Sequence, residues 1–325
     1  ELSMASADIP QVWSPVKVVP VHKKGDRTSV NNYRPISLSS SFLKCFETVI
    51  NSQLTDFLTH NNLLSNRQFG FTKGRSITGQ LIQCQDVWTR SLDEYGFVDT
   101  VYTDFSKAYD VISRPLLFAR LESYGIGGSL LKWLIALLSC RTFYVSIPPS
   151  RSAKRNMSAG IPQGSSLACT IFLIWLDPLI RALELSGVEV YAFADDVKVI
   201  SSNPARLQNA LNVFADWAEE WRMPLSVAKC FVLRMGRGPS DSAFSLGSHS
   251  LPFSSAPAVR DLGVLIDPQL SFSPNAALAV SKAMRMTGII LRSLRHSSEA
   301  TLTRAFVSYA RPLLEFASPL WTSLS

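Results

Sequence analysis

Apolar and polar positions change their spacing several times along the 325-residue chain, and each change marks an element. A valine-rich run at 16–21 reads as a strand, with Lys23, Lys24, Gly25 and Asp26 as its turn. Over 42–57, Phe42, Phe46, Val49, Ile50, Leu54 and Phe57 recur at helical spacing and predict an amphipathic helix. A second helix is expected over 76–88, followed by an extended run at 97–104. Ser113 then caps a helix with Pro115 in its first turn and Gly125 near its stop. Residues 130–140 are nearly all apolar, hence a buried helix; 143–147 read as a strand and 160–166 as a loop before a long helix ending near Leu185. Two short apolar runs, 188–194 and 197–200, enclose Asp195 and Asp196 and predict a β-hairpin with both acids at its tip. Leu207, Leu211, Phe214, Ala218 and Trp221 share one helical face. The Gly, Ser and Pro content of 236–258 fits a domain boundary or a loose hairpin. Residues 274–314 read as helical and basic, with Lys282, Arg285, Arg292, Arg295 and Arg304; there is no internal repeat.

The order of elements implies a mixed α/β (α+β) sheet with acidic residues on adjacent strand ends. With 46% hydrophobic and 18% charged residues, the chain can bury one large core or two to three subdomains. Its most apolar run, 170–176, stops at Asp177 and Pro178, short of the roughly 20 residues a membrane span needs, so no membrane partner is expected. There is no signal peptide pattern. The chain opens without methionine and in mid-pattern, as expected of an excerpt from a longer product. Five scattered cysteines and four scattered histidines give no zinc spacing and read as reduced thiols of an intracellular protein.

Charge refines this picture. Net charge is +7, yet residues 91–200 hold 10 basic against 11 acidic side chains, while 1–90 hold 10 against 6 and 201–325 hold 12 against 8. A slightly acidic middle between basic flanks suits a polyanion gripped from both sides. Within that middle, Asp104 ends one extended run and Asp195–Asp196 tip another. Carboxylates gathered on strand ends repel unless hard divalent cations join them. Two such cations roughly 4 Å apart would clamp the entering and leaving oxygens of a phosphoryl transfer.

Seven ordered blocks then make the comparison specific. YTDFSKAYD (102–110), GIPQGSSL (160–167) and FADD (193–196) occur in the order found in reverse transcriptases. NYRPISL (32–38) and QFGFTKGRS (68–76) upstream, with DLGV (261–264) and RPLLEFASPLW (311–321) downstream, resemble the non-LTR retrotransposon branch, LINE-like and jockey-type. The resemblance covers nearly the whole chain. It implies a right-hand polymerase fold: 1–95 as fingers and N-terminal part, 96–235 as palm, and 236–325 as primer grip and helical thumb.

The same resemblance assigns roles. Asp104 and Asp195 bind two Mg²⁺ ions (Mn²⁺ being a possible substitute), Asp196 is a third carboxylate, and the Phe105 carbonyl completes one metal shell. Tyr109 matches the steric gate against a 2′-hydroxyl, and Gln163 the loop residue that contacts the incoming deoxynucleoside triphosphate. Gly160 and Gly164 let backbone approach the substrate; Ala168–Cys169 departs from the usual Ser-Pro pair. Lys24 and Arg34 match basic residues that neutralise the triphosphate, with the choice between Lys23 and Lys24 open. Lys229 matches a proton donor to pyrophosphate, Lys73 and Arg75 would hold the template backbone, and Leu262, Gly263 and Val264 resemble the primer grip. Residues 70–76 lack the Gly-Lys-Ser/Thr end of a phosphate loop, and that reading is rejected.

The implied activity is RNA-directed DNA polymerisation, with an RNA template, a DNA primer and deoxynucleotides as partners. Alternatives are a catalytically inactive, retrotransposon-derived nucleic-acid-binding protein, and a related polymerase or intron maturase with the same palm. An endonuclease domain belongs to such parent polyproteins, but no trace of one lies in this stretch. Nuclear action is implied by the resemblance alone.

Overall fold

Hydrogen bonding between distant stretches builds the first sheet of the computed structural model, which describes residues 2–239 and 242–322. After a short helix, α1 (Leu2–Ser6), β1 (Pro15–His22) runs antiparallel to β2 (Tyr33–Leu38), with Val21 opposite Arg34. Val16 and Val18 alternate inward, as a half-buried strand requires. The next helix, α2 (Ser41–His60), forms as expected but turns a different face to the core. Leu43, Glu47, Ile50, Leu54 and Leu58 are buried, whereas Phe42, Val49 and Phe57 are exposed. Hydropathy could not find this stripe because a carboxylate lies in it. Glu47 is tolerated there because Arg141 Nη2 donates to it at 3.0 Å, and Ser165 Oγ and the Ser166 amide also donate to it.

Helix α3 (Ile77–Tyr95) begins where the Ser76 hydroxyl accepts the Gly79 amide and ends at Gly96, whose φ of 75° suits a residue without Cβ. β3 (Phe97–Thr103) follows, then α4 (Ala108–Val111), α5 (Arg114–Ser123) and α6 (Gly128–Ser139). β4 (Thr142–Ile147) returns to pair in parallel with β1, and β5 (Ser150–Arg151) and β6 (Arg155–Asn156) pair with β4. The first sheet therefore draws strands from within 96–235 as well as from 1–95. Chain order cannot reveal that, since parallel partners need a long crossover.

Helix α7 (Ser166–Leu185) runs through Pro178 rather than stopping there. By length and composition alone it could span a membrane, which corrects the reading of Asp177–Pro178 as a break. It is a core helix nonetheless: 72% of its apolar window is buried by the rest of the chain. Buried Asp177 accepts the Ser65 amide at 2.5 Å, the Tyr124 hydroxyl at 2.7 Å and Arg181 Nε at 2.6 Å.

β7 (Glu189–Phe193) and β8 (Asp196–Ser201) form the predicted hairpin. Helix α8 (Pro204–Glu220) and β9 (Phe231–Gly236) complete an antiparallel sheet of order β7-β8-β3-β9. Period-two alternation sends Val101, Val190, Val199 and Val232 into the cluster with Trp175 and Phe214. Val98, Tyr191, Ile200 and Leu233 pack on the opposite side with Leu81 and Trp88. The Gly- and Ser-rich stretch contains a hairpin, β10 (Phe244–Leu246) with β11 (His249–Leu251); Gln208 of α8 exchanges both amide hydrogen bonds with Ser245. Ser240 and Asp241 lie outside the described residues.

A second small hairpin follows, β12 (Val259–Asp261) with β13 (Val264–Ile266). The C-terminal helices are α9 (Ser273–Ser293), α10 (Glu299–Ala305), α11 (Arg311–Glu315) and α12 (Ser318–Trp321). The single helical stretch expected over 274–314 breaks after α9, where Ser298 caps α10 and accepts the Thr301 amide.

Candidate active site

Strand register gathers the acids. Thr103 of β3 lies opposite Val197 of β8, so Asp104, one step beyond β3, comes beside Asp196 at the start of β8. Phe193 pairs with Asp196, which leaves Ala194 and Asp195 as the two-residue turn between them. Burial of Val101, Val197 and Val199 fixes this register, since a slip by one residue would turn those valines outward.

The electrostatics follow from that crowding. Burial, then the fields of Asp195, Asp104 and Asp261, push the Asp196 carboxyl up to about 6. Asp195 is also raised, chiefly by burial and further by Asp104, against the lowering effect of its own amide, Arg34 and Lys229. Negative charge is thus under-compensated at the tip, which fits a donor set for hard divalent cations. Among the described residues, no three His, Cys, Asp or Glu side chains enclose a ready-made metal cage. Asp104 instead accepts Lys229 Nζ at 2.5 Å. The antiparallel bridge of Phe105 to Leu225 uses the Asp104 carbonyl and the Ser106 amide, which turns the Phe105 carbonyl to the other side. The Phe105 ring is buried against Phe214.

The residues expected on the nucleotide side come next. Arg34 is exposed on β2 and its charge is felt at Asp195. Tyr109 stacks on Phe172 at 4.5 Å, and its hydroxyl is raised by burial, by Cys169 and by the field of Asp195. Gln163 Nε2 donates to Asp110 Oδ1 at 3.1 Å, and its carbonyl accepts the Ser37 amide. A Cβ on Gly160 would lie 2.6 Å from the Asp110 carbonyl, and one on Gly164 2.8 Å from that of Ser37, so this loop needs both glycines. Lys23 and Lys24 are both exposed, but Lys23 is the one whose charge is felt at Asp110, where burial dominates and raises the carboxyl.

The expected nucleic-acid residues lie on two other stretches, the segment after Gln68 and the β12–β13 hairpin, whose Asp261 is felt at Asp196. Lys73 is exposed, while Arg75 donates to Asn66 at 3.0 Å and lies over the Phe69 ring. Leu262 and Gly263, with φ of 46° and 98°, make the turn of the β12–β13 hairpin, and Val264 is buried. Positive φ at both turn residues matches the twist of a tight hairpin.

A model of the "Reverse transcriptase (RNA-dependent DNA polymerase)" family matches residues 21–291, most of the chain. The chain belongs to that family. The polymerase from transposon BS of Drosophila melanogaster is 27% identical over 334 residues, covering 96% of this chain and 35% of the relative. The RNA-directed DNA polymerase from mobile element jockey of the same organism is 26% identical, covering 81% and 30%. The chain therefore spans about a third of the length of these curated relatives, and the expected non-LTR, jockey-type resemblance is borne out. Telomerase from Candida albicans, solved with a fragment of telomeric RNA, superposes with a TM-score of 0.58 at 11% identity, covering 96% of this chain and 56% of that one. Apo telomerase from Candida tropicalis gives 0.57 at 9% identity, covering 96% and 57%. That likeness shows the right-hand polymerase fold.

In this reverse transcriptase domain, several supporting residues had no sequence signal. Arg114, buried on α5, donates to the carbonyls of Met157, Ala159 and Gly160 and so holds the Gln163 loop from below. Glu47 and Arg141 fasten its far end at Ser165 and Ser166. Cys230 is buried and its sulfur accepts the Asp104 amide at 3.4 Å. Gln68 bonds the hairpin tip at Ala194. Its block was recognisable, but nothing in the chain says which of its side chains faces the acids.

Proposed function

We propose that the chain is the polymerising module of a longer retrotransposon product, adding deoxynucleotides to a primer 3′-hydroxyl on an RNA template. The primer oxygen bonds to the α-phosphorus of the triphosphate and pyrophosphate leaves. The observation behind this reading is the meeting of Asp104, Asp195 and Asp196 on adjacent strand ends, with the Arg34 charge felt at Asp195. Mg²⁺, or Mn²⁺ in its place, would be held by these carboxylates and the Phe105 carbonyl, and supplies activation of the hydroxyl and neutralisation of phosphoryl charge when bound.

The chain's own groups do the rest. Arg34, with Lys23 or Lys24, meets triphosphate oxygens. The Gln163 loop supports the nucleotide, and the Tyr109 ring beneath the sugar excludes a 2′-hydroxyl. Lys229 hands a proton to departing pyrophosphate. Lys73 and Arg75 bind the template backbone, and residues 262–264 support the primer. Residues 1–95 with the strands at 142–156 act as fingers, the sheet within 96–235 as palm, and 236–325 as grip and thumb. Action in the nucleus, on a nick made by an endonuclease segment of the parent protein, belongs to the same proposal and rests on the resemblance alone.

Primer extension on an RNA template with deoxynucleotides and Mg²⁺ tests it. Extension is expected, with a loss of about 1,000-fold or more in Asp195→Asn. Salt-sensitive binding of template–primer with no extension in the unaltered chain would sink the proposal in favour of the binding-protein reading.

A further inference from the structure

Residues 67–69 add a short parallel segment to β7, with Gln68 bridged to Ala192. The Phe69 amide donates to the Ala192 carbonyl at 2.8 Å, and the Ala192 amide to the Arg67 carbonyl at 2.9 Å. This docking delivers the Gln68 side chain, only 2% exposed, to the turn that carries Asp195. Its Oε1 accepts the Ala194 amide at 2.9 Å and the Gly70 amide at 2.8 Å, while Nε2 donates to the Ala194 carbonyl at 3.2 Å. Both peptide groups flanking Ala194 are therefore read by one carboxamide.

Ala194 needs that hold. It has φ of +55° in the first place of a two-residue hairpin turn, a conformation glycine adopts freely and alanine resists. Released, Ala194 would relax toward negative φ, and the peptide that follows it, with the Asp195 carboxylate, would swing with it. Gly70 makes the close approach possible, because a Cβ there would lie 2.3 Å from the Ala194 nitrogen.

We infer that Gln68 is a positioning residue for the reaction: its carboxamide fixes Ala194 in the left-handed conformation and so aims Asp195 at Asp104. The inference rests on the polymerase reading for its functional consequence, though not for the geometry of the clasp.

Gln68→Leu keeps the bulk and removes all three bonds. In the full chain it is expected to lower kcat about 100-fold, the scale of a small misplacement of a catalytic group, with KM for deoxynucleotide changed less than about threefold. Mn²⁺ binding in the presence of template–primer, read by electron paramagnetic resonance, should weaken about tenfold, converting one misdirected ligand into affinity. Adding Ala194→Gly should recover about fivefold in kcat, since glycine reaches positive φ unaided. Hydrogen exchange at 190–197 reads the clasp without any catalysis: it should quicken in Gln68→Leu while 97–103 stays unchanged. Unchanged exchange at the tip overturns the inference, as does a kcat defect that disappears once rates are normalised to folded, active sites. Faster exchange in a chain whose unaltered form extends no primer would leave the clasp standing and remove the polymerase reading.

Discussion

Two lysine–aspartate pairs border the same antiparallel sheet and differ in almost everything except chemistry. Lys229 and Asp104 meet at the open end of the sheet, with side chains 64% and 25% exposed. Lys198 and Asp261 meet beneath the β12–β13 hairpin at 3% each. The Tyr102 hydroxyl also donates to Asp261 at 3.1 Å, and burial together with Asp261 raises Tyr102 well above the usual tyrosine range. For Lys198, burial is the largest influence and opposes the charge, but Asp261 together with Cys84 and Asp196 offsets it, so the ammonium is held above its ordinary value. The comparison teaches that solvent decides the role. A pair in water exchanges partners easily, so under the proposed function Asp104 stays available to a cation, whereas a buried pair fastens the β12–β13 hairpin to the antiparallel sheet.

Breaking the buried pair should have the largest effect. Lys198→Met strands the Asp261 carboxylate, and urea unfolding should show a loss of about 3–5 kcal/mol. Combining Lys198→Met with Asp261→Leu should return most of that stability, because two apolar groups leave no unpaired charge. If the double variant stays as weak as the single one, the pair is not the fastening described here.

Breaking the exposed pair should separate chemistry from stability. Lys229→Met is expected to leave unfolding within about 0.5 kcal/mol of the parent, as for most solvent-exposed pairs. Single-turnover extension should nonetheless slow about 100-fold if the lysine donates a proton to pyrophosphate. A rate unchanged by this substitution would leave Lys229 as a surface cation.

The smallest effect sharpens the open side of the comparison. Tyr109→Val removes the ring stacked on Phe172, and discrimination against ribonucleotides should fall about tenfold or more in paired incorporation assays. Sugar selectivity equal to that of the parent would show that the ring lies elsewhere than beneath the ribose.

Much of the site was legible because its residues sit in short, ordered blocks whose chemistry survives translation into text. Asp104, Asp195 and Asp196 end apolar runs of strand length, and alternation plus turn position suffices to put them on strand ends. Gly160 and Gly164 were legible for a related reason, since a glycine flanking a polar contact residue announces a close backbone approach. The buried polar partners were not legible. Glu47 broke the apolar stripe of α2, and only the arrival of Arg141 from a distant turn makes its burial tolerable. Gln68 stood inside a recognisable block, yet its bonds to Ala194 depend on how residues 67–69 dock on β7.

By itself, the sequence determined most of the helices and strands and the acidic hairpin tip, because period and turn chemistry are local properties of the chain, while its ordered blocks carried the family resemblance. Tertiary structure alone decided that β4 joins β1, that α7 is a core helix, and which lysine–aspartate pair is dry. Those outcomes depend on which surfaces lose their water, and exclusion of water is a property of packed neighbours rather than of any residue's place in the chain.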